Sequence, residues 1–249
     1  MQLMAKNPDR PGFRPLYQQV RDLLLVRIST GAWRPAEALP SEQALAAELG
    51  VSQGTVRKAI DSLVADSLIE RRQGKGTYVA QHTKESAQFR FFKLTDDDGR
   101  RILPGCLSSM ITRENAGPEE MAALNLDADE QIFTITRIRN AGGHTENSSI
   151  FLETISLPAA LFPDLETHQP LPNTLYTFYQ SVYGISIVGA NEKIKAVSAT
   201  KQNASALNVA ESSPLLSVVR IAHDVAERAV EMRRSLYPTP DSYYAVELG

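Results

Sequence analysis

Residues 39–79 read LPSEQALAAELGVSQGTVRKAIDSLVADSLIERRQGKGTYV. The run divides into a short helix, a turn, a longer helix and a small basic hairpin. Ser41 can cap the first helix, with Glu42 in the first turn where the helix dipole favours an anion. Gly50 is a helix-ending glycine. Ser52 caps the second helix, whose inward face is Val56, Ala59, Ile60 and Leu63. Residues 68–72 and 77–79 read as short strands around Gln73, Gly74, Lys75 and Gly76. Upstream, the pattern predicts a helix over 15–30. Pro15 suits its first turn, and Val20, Leu23, Leu24 and Ile28 face a core. Gly31 and Pro35 end it.

The outward face of the second helix begins Gln53, Gly54, Thr55, Arg57, Lys58. These are short or donor-rich groups near a helix N-terminus, the composition a helix needs if its first turns enter a major groove. Arg57 can donate to guanine or to phosphate, and Gln53 can pair with adenine or with phosphate. Ser52 and Thr55 can reach phosphates. A solvated polar face would show the same residues, but the hairpin adds to the pattern. Arg71, Arg72 and Lys75 gather at a tip whose glycines let the backbone come close to a narrow groove. The candidate DNA contacts are therefore Ser41, Gln43, Ser52, Gln53, Gly54, Thr55 and Arg57 on the helices, and Arg72, Gln73, Gly74 and Lys75 on the hairpin.

The segments Leu39-Pro40-Ser41-Glu42, Val51-Ser52-Gln53-Gly54-Thr55-Val56-Arg57 and Gly74-Lys75-Gly76-Thr77-Tyr78-Val79 follow in order, after Pro15-Leu16-Tyr17. Together they resemble the winged helix-turn-helix domain of GntR-family bacterial transcription regulators. Members of that family often carry arginine where this chain has Gln43 and Gln53, at positions that commonly touch DNA. The resemblance therefore carries over no operator sequence. Ala36 stands where glycine is common.

Bulk properties agree with a two-part regulator. Among 249 residues, positions 1–80 hold 11 Lys+Arg and 8 Asp+Glu, while positions 81–249 hold 15 and 21. The basic part suits phosphate contact. The single cysteine, Cys106, excludes an intramolecular disulfide and suits a reducing cytoplasm, where it reads as a small strand residue. The N-terminal stretch lacks the apolar core of a signal peptide, and no segment approaches the roughly 20 apolar residues of a membrane span. His144 and His223 are isolated, so no metal site and no cofactor are expected.

Residues 81–90 are polar and read as a linker, leaving 1–80 as the DNA-binding domain and 91–249 as a second domain. The second domain alternates strands and short helices. Strands are expected over 106–112, 131–140, 150–156 and 194–199. Helices are expected at 117–124, 175–183 and 205–209, with Gly142-Gly143 in a loop. Strands over 214–224, 229–237 and 243–248 would close an antiparallel sheet. Phe133, Ile135, Arg137 and Arg139 share one strand face; Glu231, Arg233, Ser235 and Tyr237 share another. Glu153 lies on a neighbouring strand. Inward guanidinium and carboxylate groups with a phenol suit a small polar, anionic ligand; structural ion pairs across the sheet are the competing reading.

Arg137-Ile138-Arg139, Phe151-Leu152-Glu153 with Leu157-Pro158, and Val230-Glu231 with Ser235-Leu236-Tyr237 resemble the UTRA effector domain of the HutC branch, whose fold is similar to chorismate lyase. The resemblance implies that Arg137, Glu153, Glu231 and Tyr237 line an effector pocket; Arg139 and Arg233 join them by strand alternation. The whole is an α+β chain, expected to act as a cytoplasmic, homodimeric, ligand-responsive repressor of a pseudo-palindromic operator. An enzyme and an architectural DNA-binding protein are the alternatives. The first lacks a catalytic triad, a phosphate loop or a metal cluster in the sequence; the second would show no ligand response.

Overall fold

The computed structural model describes residues 14–29, 31–65, 68–80, 92–141 and 150–246. The chain forms two compact units, Met1–Ala80 and Gln81–Gly249. The expected linker 81–90 and the loop at Gly142-Gly143, with His144, lie outside the described residues.

In the first unit, α1 (Leu16–Ser29), α2 (Glu42–Leu49) and α3 (Gln53–Ala65) precede a two-stranded hairpin, β1 (Ile69–Arg72) and β2 (Gly76–Val79). Val20, Leu24 and Ile28 of α1 meet Val56, Ala59, Ile60 and Leu63 of α3 in a core from which water is excluded. Leu23 departs from the expected inward set: it is 51% exposed. One residue before Leu24, it lies about 100° round the helix from the buried stripe. The hairpin pairs Ile69 with Val79 and Arg72 with Gly76. The chain before α2 lies along its other edge, where Leu39 N–H donates to Thr77 O (2.8 Å) and Ala36 N–H to Val79 O (3.0 Å). Ala36 has φ 65°, the left-handed region that costs an alanine and not a glycine, which explains the usual preference for glycine there.

The second unit is built on a six-stranded antiparallel sheet. Its members are β4 (Pro104–Asn115), β5 (Gln131–Ala141), β6 (Ile150–Pro158), β7 (Ile187–Ser198), β8 (Pro214–Asp224) and β9 (Ala229–Tyr237), in spatial order β4-β5-β6-β9-β8-β7. β3 (Leu94–Asp96) and β10 (Ser242–Tyr244) form a separate antiparallel pair. Three helices accompany the strands: α4 (Pro118–Leu124), α5 (Leu175–Tyr183) and α6 (Lys201–Leu207). Leu175, Tyr176 and Tyr179 of α5 join Phe133, Ile135, Ile155, Leu157 and Val230 in the main core.

Three expectations are corrected in this unit. β7 starts at Ile187 rather than 194, because an irregular register at Ile187/Gly189 and the polar run Asn191–Lys193 hide its periodicity. α6 starts at Lys201, where the Thr200 hydroxyl accepts from Asn203 N–H, and ends at the left-handed Asn208. The last strand is only Ser242–Tyr244, and it pairs with β3 instead of closing the large sheet.

Candidate DNA-reading face and effector site

On the first unit, the Ser41 hydroxyl accepts from Ala44 N–H at 3.1 Å and the left-handed Gly50 ends α2. The Ser52 hydroxyl accepts from Thr55 N–H at 3.1 Å and lies 2.9 Å from the Thr55 hydroxyl. Both caps are local, so the start of α3 is preset by its own sequence. Burial of Val56, Ala59 and Ile60 leaves Gln53, Gly54, Arg57 and Lys58 exposed. Gln43 is exposed on α2. At the hairpin tip Gly74 and Gly76 take φ of 70° and 113°, a backbone that β-carbon-bearing residues resist. Lys75 N–H donates to Arg72 O, and the Arg72 guanidinium lies over the Tyr78 ring at 4.3 Å.

The sequence assigned Glu42 only to the helix dipole. In the structure its carboxylate accepts from Arg57 Nε (2.9 Å), Arg71 (3.3 Å) and Gln53 (3.4 Å). Arg71 also meets Asp61 at 2.6 Å, and Arg72 donates twice to Glu70. One acidic side chain therefore ties α3 to the hairpin and holds Arg57 in place. The pairing joins residues far apart in sequence, so no local pattern announces it.

On the second unit, one face of the large sheet carries a buried charge cluster. Across the strands, Arg137 stands opposite Glu153 and Glu153 opposite Ser235; Arg233 stands opposite Arg220, and Arg220 opposite Glu192. Arg137, Arg139 and Glu231 are fully buried, and Glu153, Arg233 and Tyr237 nearly so. Glu153 accepts from Arg139 (3.0 Å) and Arg233 (3.3 Å). Arg139 also donates to the Asn173 side-chain oxygen at 2.6 Å and to Pro104 O. Glu231 accepts from Tyr176 and Tyr179 hydroxyls (2.8 Å each) and twice from Arg233 (2.9 Å each). Arg220 pairs with Glu192, which also accepts from the Tyr244 hydroxyl at 2.6 Å.

Arg137 differs from its neighbours. One terminal nitrogen donates to the carbonyls of Pro172 and Asn173, while Nε and the other terminal nitrogen have no hydrogen-bond partner among the described residues. Among the described residues, four guanidinium groups thus face three carboxylates, Glu153, Glu192 and Glu231. A buried cation without a matching acceptor is costly, so the site favours an added anion.

Electrostatics follow the packing. Burial opposes ionisation of Glu153, but Arg139, Arg233 and Arg137 outweigh it and hold its carboxyl at about 2, against an ordinary 4.5. Burial and the neighbouring Glu231 push the Tyr176 and Tyr179 hydroxyls upward, so both remain protonated donors. Burial pulls Arg139 downward, against the pull of Glu153. Because the folded value of Glu153 lies below the unfolded one, its stabilisation is complete above about pH 4.5 and fades toward pH 2. Acid titration followed by circular dichroism should show the sheet unit weakening in that window, and Glu153→Gln should flatten the response. An unchanged titration would count against the ion-pair role.

Two small cavities of about 10 Å³ each adjoin the cluster. Phe92, Arg220 and Arg233 line both; Tyr176 and Asn173 line one, Glu153, Ser235 and Tyr237 the other. Each is about the size of one water. Of the predicted set, Glu153, Arg233 and Tyr237 reach a cavity wall. Arg137, Arg139 and Glu231 do not line either cavity; Glu231 has its acceptor positions filled by protein donors. Sequence reading missed Arg220, Tyr176, Asn173 and Phe92. Arg220 could have been found, since Val218, Arg220 and Ala222 alternate onto the apolar face of their strand.

The model of bacterial regulatory proteins of the gntR family matches residues 16–79, and that of the UTRA domain matches residues 104–243. The mannosyl-D-glycerate transport/metabolism system repressor MngR of Escherichia coli (strain K12) is 30% identical over 92% of this chain and 94% of its own. The histidine utilization repressor of Pseudomonas putida is 29% identical over 88% and 85%. A crystal structure of the ligand-binding domain of a GntR-family regulator from Bordetella bronchiseptica superposes with a TM-score of 0.54 at 32% identity, covering 64% of this chain and 98% of that one.

Proposed function

The chain belongs to the gntR family of bacterial regulatory proteins, with a UTRA domain as its second unit, and from this premise we propose that it is a repressor whose hold on an operator is released by a small anionic metabolite. It is a transcription regulator and not an enzyme. Among the described residues, no helix is long and apolar enough to cross a membrane. A cytoplasmic home follows from the need to meet DNA.

In this reading α3 enters the major groove. Gln53, Gly54 and Arg57 face base edges there, and Ser41, Gln43, Ser52 and Thr55 face the backbone. Arg72, Gln73, Gly74 and Lys75 bring the hairpin tip to the flanking groove. A homodimer on a two-fold operator doubles these contacts through linked binding. Lys75→Ala is expected to weaken binding about equally on all sequences and to lower the salt slope by about 1. Anisotropy titrations over a salt series check this; a loss confined to one operator sequence would contradict it.

The observation that carries the effector assignment is Arg137, buried with two donors unpaired among the described residues. A carboxylate or phosphate satisfies those donors and corrects the charge excess. A metabolite is larger than either cavity, so its entry displaces Phe92, and Phe92 leads directly into β3. A coupling of about 1–3 kcal/mol changes operator affinity roughly 5–150-fold, and DNA must weaken the ligand equally. The test is thermal stabilisation against a panel of phosphorylated and carboxylated metabolites; saturation at about 100 Kd adds about 2.7 kcal/mol. Arg137→Ala should abolish the shift. Stabilisation by neutral compounds alone would overturn the anion assignment.

A further inference from the structure

Arg137, Arg139, Arg220 and Arg233 are all buried on one sheet face. Among the described residues they are met by Glu153, Glu231 and Glu192, which leaves a single positive charge in excess. The tyrosines on Glu231 do not alter that balance, because their raised hydroxyls keep their protons. Glu153 stands directly across the strands from Arg137 and forms part of one cavity wall. Its carboxyl, held at about 2, stays ionised at neutral pH. Arg139 and Arg233 occupy two of the roughly four acceptor positions a carboxylate offers. A molecule entering beside Arg137 therefore meets a fixed negative charge that still accepts hydrogen bonds.

We infer that the site selects a monocarboxylate over a phosphate ester, and that the acid carries a hydroxyl beside its carboxylate. This rests on the anionic-effector reading above and narrows it. One negative charge cancels the excess. A phosphate monoester carries about −1.5 to −2 near neutral pH, so it overshoots the excess and is repelled by Glu153. Uncompensated charge of either sign is penalised where water is excluded. The hydroxyl follows from the Arg137–Glu153 register. A carboxylate on the first places its neighbouring substituent by the second, where only a donor is welcome. An ammonium group would also donate, but it would cancel the charge that the cluster needs.

Calorimetric titration of the full chain with two matched sets tests this. One set is glycerate, glycerol 3-phosphate and glycerol; the other is gluconate, glucitol 6-phosphate and glucitol. In at least one set the acid is expected to bind at least about tenfold more tightly than the phosphate ester, and the neutral compound not measurably. Propionate, which lacks the hydroxyls, should bind at least about fivefold more weakly than glycerate. Glu192→Gln raises the excess to two from the rim of the cluster, where the Glu192 side chain is 21% exposed. With an unchanged circular dichroism spectrum, it should narrow or reverse the preference for the acid. A native chain that prefers the phosphate esters, or a preference untouched by Glu192→Gln, overturns the inference and leaves the anion reading standing. Propionate binding as well as glycerate overturns the hydroxyl, and no binding in either set overturns the hydroxy-acid class. Binding of the neutral compounds alone removes the anion reading itself.

Discussion

Glu231→Ala is expected to cost the sheet unit about 3–5 kcal/mol of stability, the loss that follows when one partner of a buried ion pair is removed. The reason is the number of donors it strands. Two tyrosine hydroxyls and two guanidinium nitrogens converge on this carboxylate, all out of contact with water. Among the described residues, its loss leaves Arg233 the longer contact to Glu153 as its ion pair. Tyr176 and Tyr179 cannot compensate by ionising, since burial, the larger cause of their raised values, persists when the Glu231 charge is gone. Urea unfolding of the full chain reads the loss directly. Glu231→Gln, which keeps one acceptor oxygen, should fall between the native protein and the alanine variant. If Glu231→Ala is as stable as the native chain, the carboxylate does not anchor Arg233, and a direct contact with ligand becomes the better account.

Arg57→Ala should weaken operator binding by about 1–3 kcal/mol, with much less effect on an unrelated duplex. Arg57 projects from the first turns of α3, and its Nε is held 2.9 Å from Glu42. The tether matters because an ordered guanidinium loses less rotamer freedom on meeting a base. Removing Arg57 also leaves Glu42 with less positive charge beside it on the proposed DNA-reading surface. Anisotropy titrations at one fixed salt concentration, with cognate and scrambled duplexes in parallel, measure both effects. Equal affinity of native and variant for the cognate site would rule out a reading role. Equal losses on both duplexes would make Arg57 a phosphate contact.

The DNA-binding head was legible because its determinants are local. Ser41, Gly50 and Ser52 each act within four residues of themselves, and the inward face of α3 repeats at helical spacing. The inner sheet strands β5 and β8 were legible for a related reason, since one face is buried and burial alternates along them. Edge strands lack that enforcement. The first half of β7 is polar and irregular in register, so its pairing with β8 left no mark that periodicity could find. The partner of β10 is β3, nearly 150 positions earlier in the chain, and only folding brings them together. The candidate effector residues divide in the same way. Arg137, Arg139, Glu153, Glu231 and Arg233 were visible as charges on apolar strand faces, but which of them touches solvent-sized space depends on α5 and Phe92. Tyr176 reads as an ordinary core aromatic until Glu231 is placed beside its hydroxyl.

Glu42 makes the DNA-reading surface quieter than its arginines suggest. With Arg57 and Arg71 already sharing an internal carboxylate, a passing stretch of chromosome meets less bare charge and displaces fewer condensed counterions than a tally of basic residues would imply. In the proposed mode of binding, idle residence on the rest of the genome would be curtailed accordingly, leaving a larger part of the population free to search for its own address.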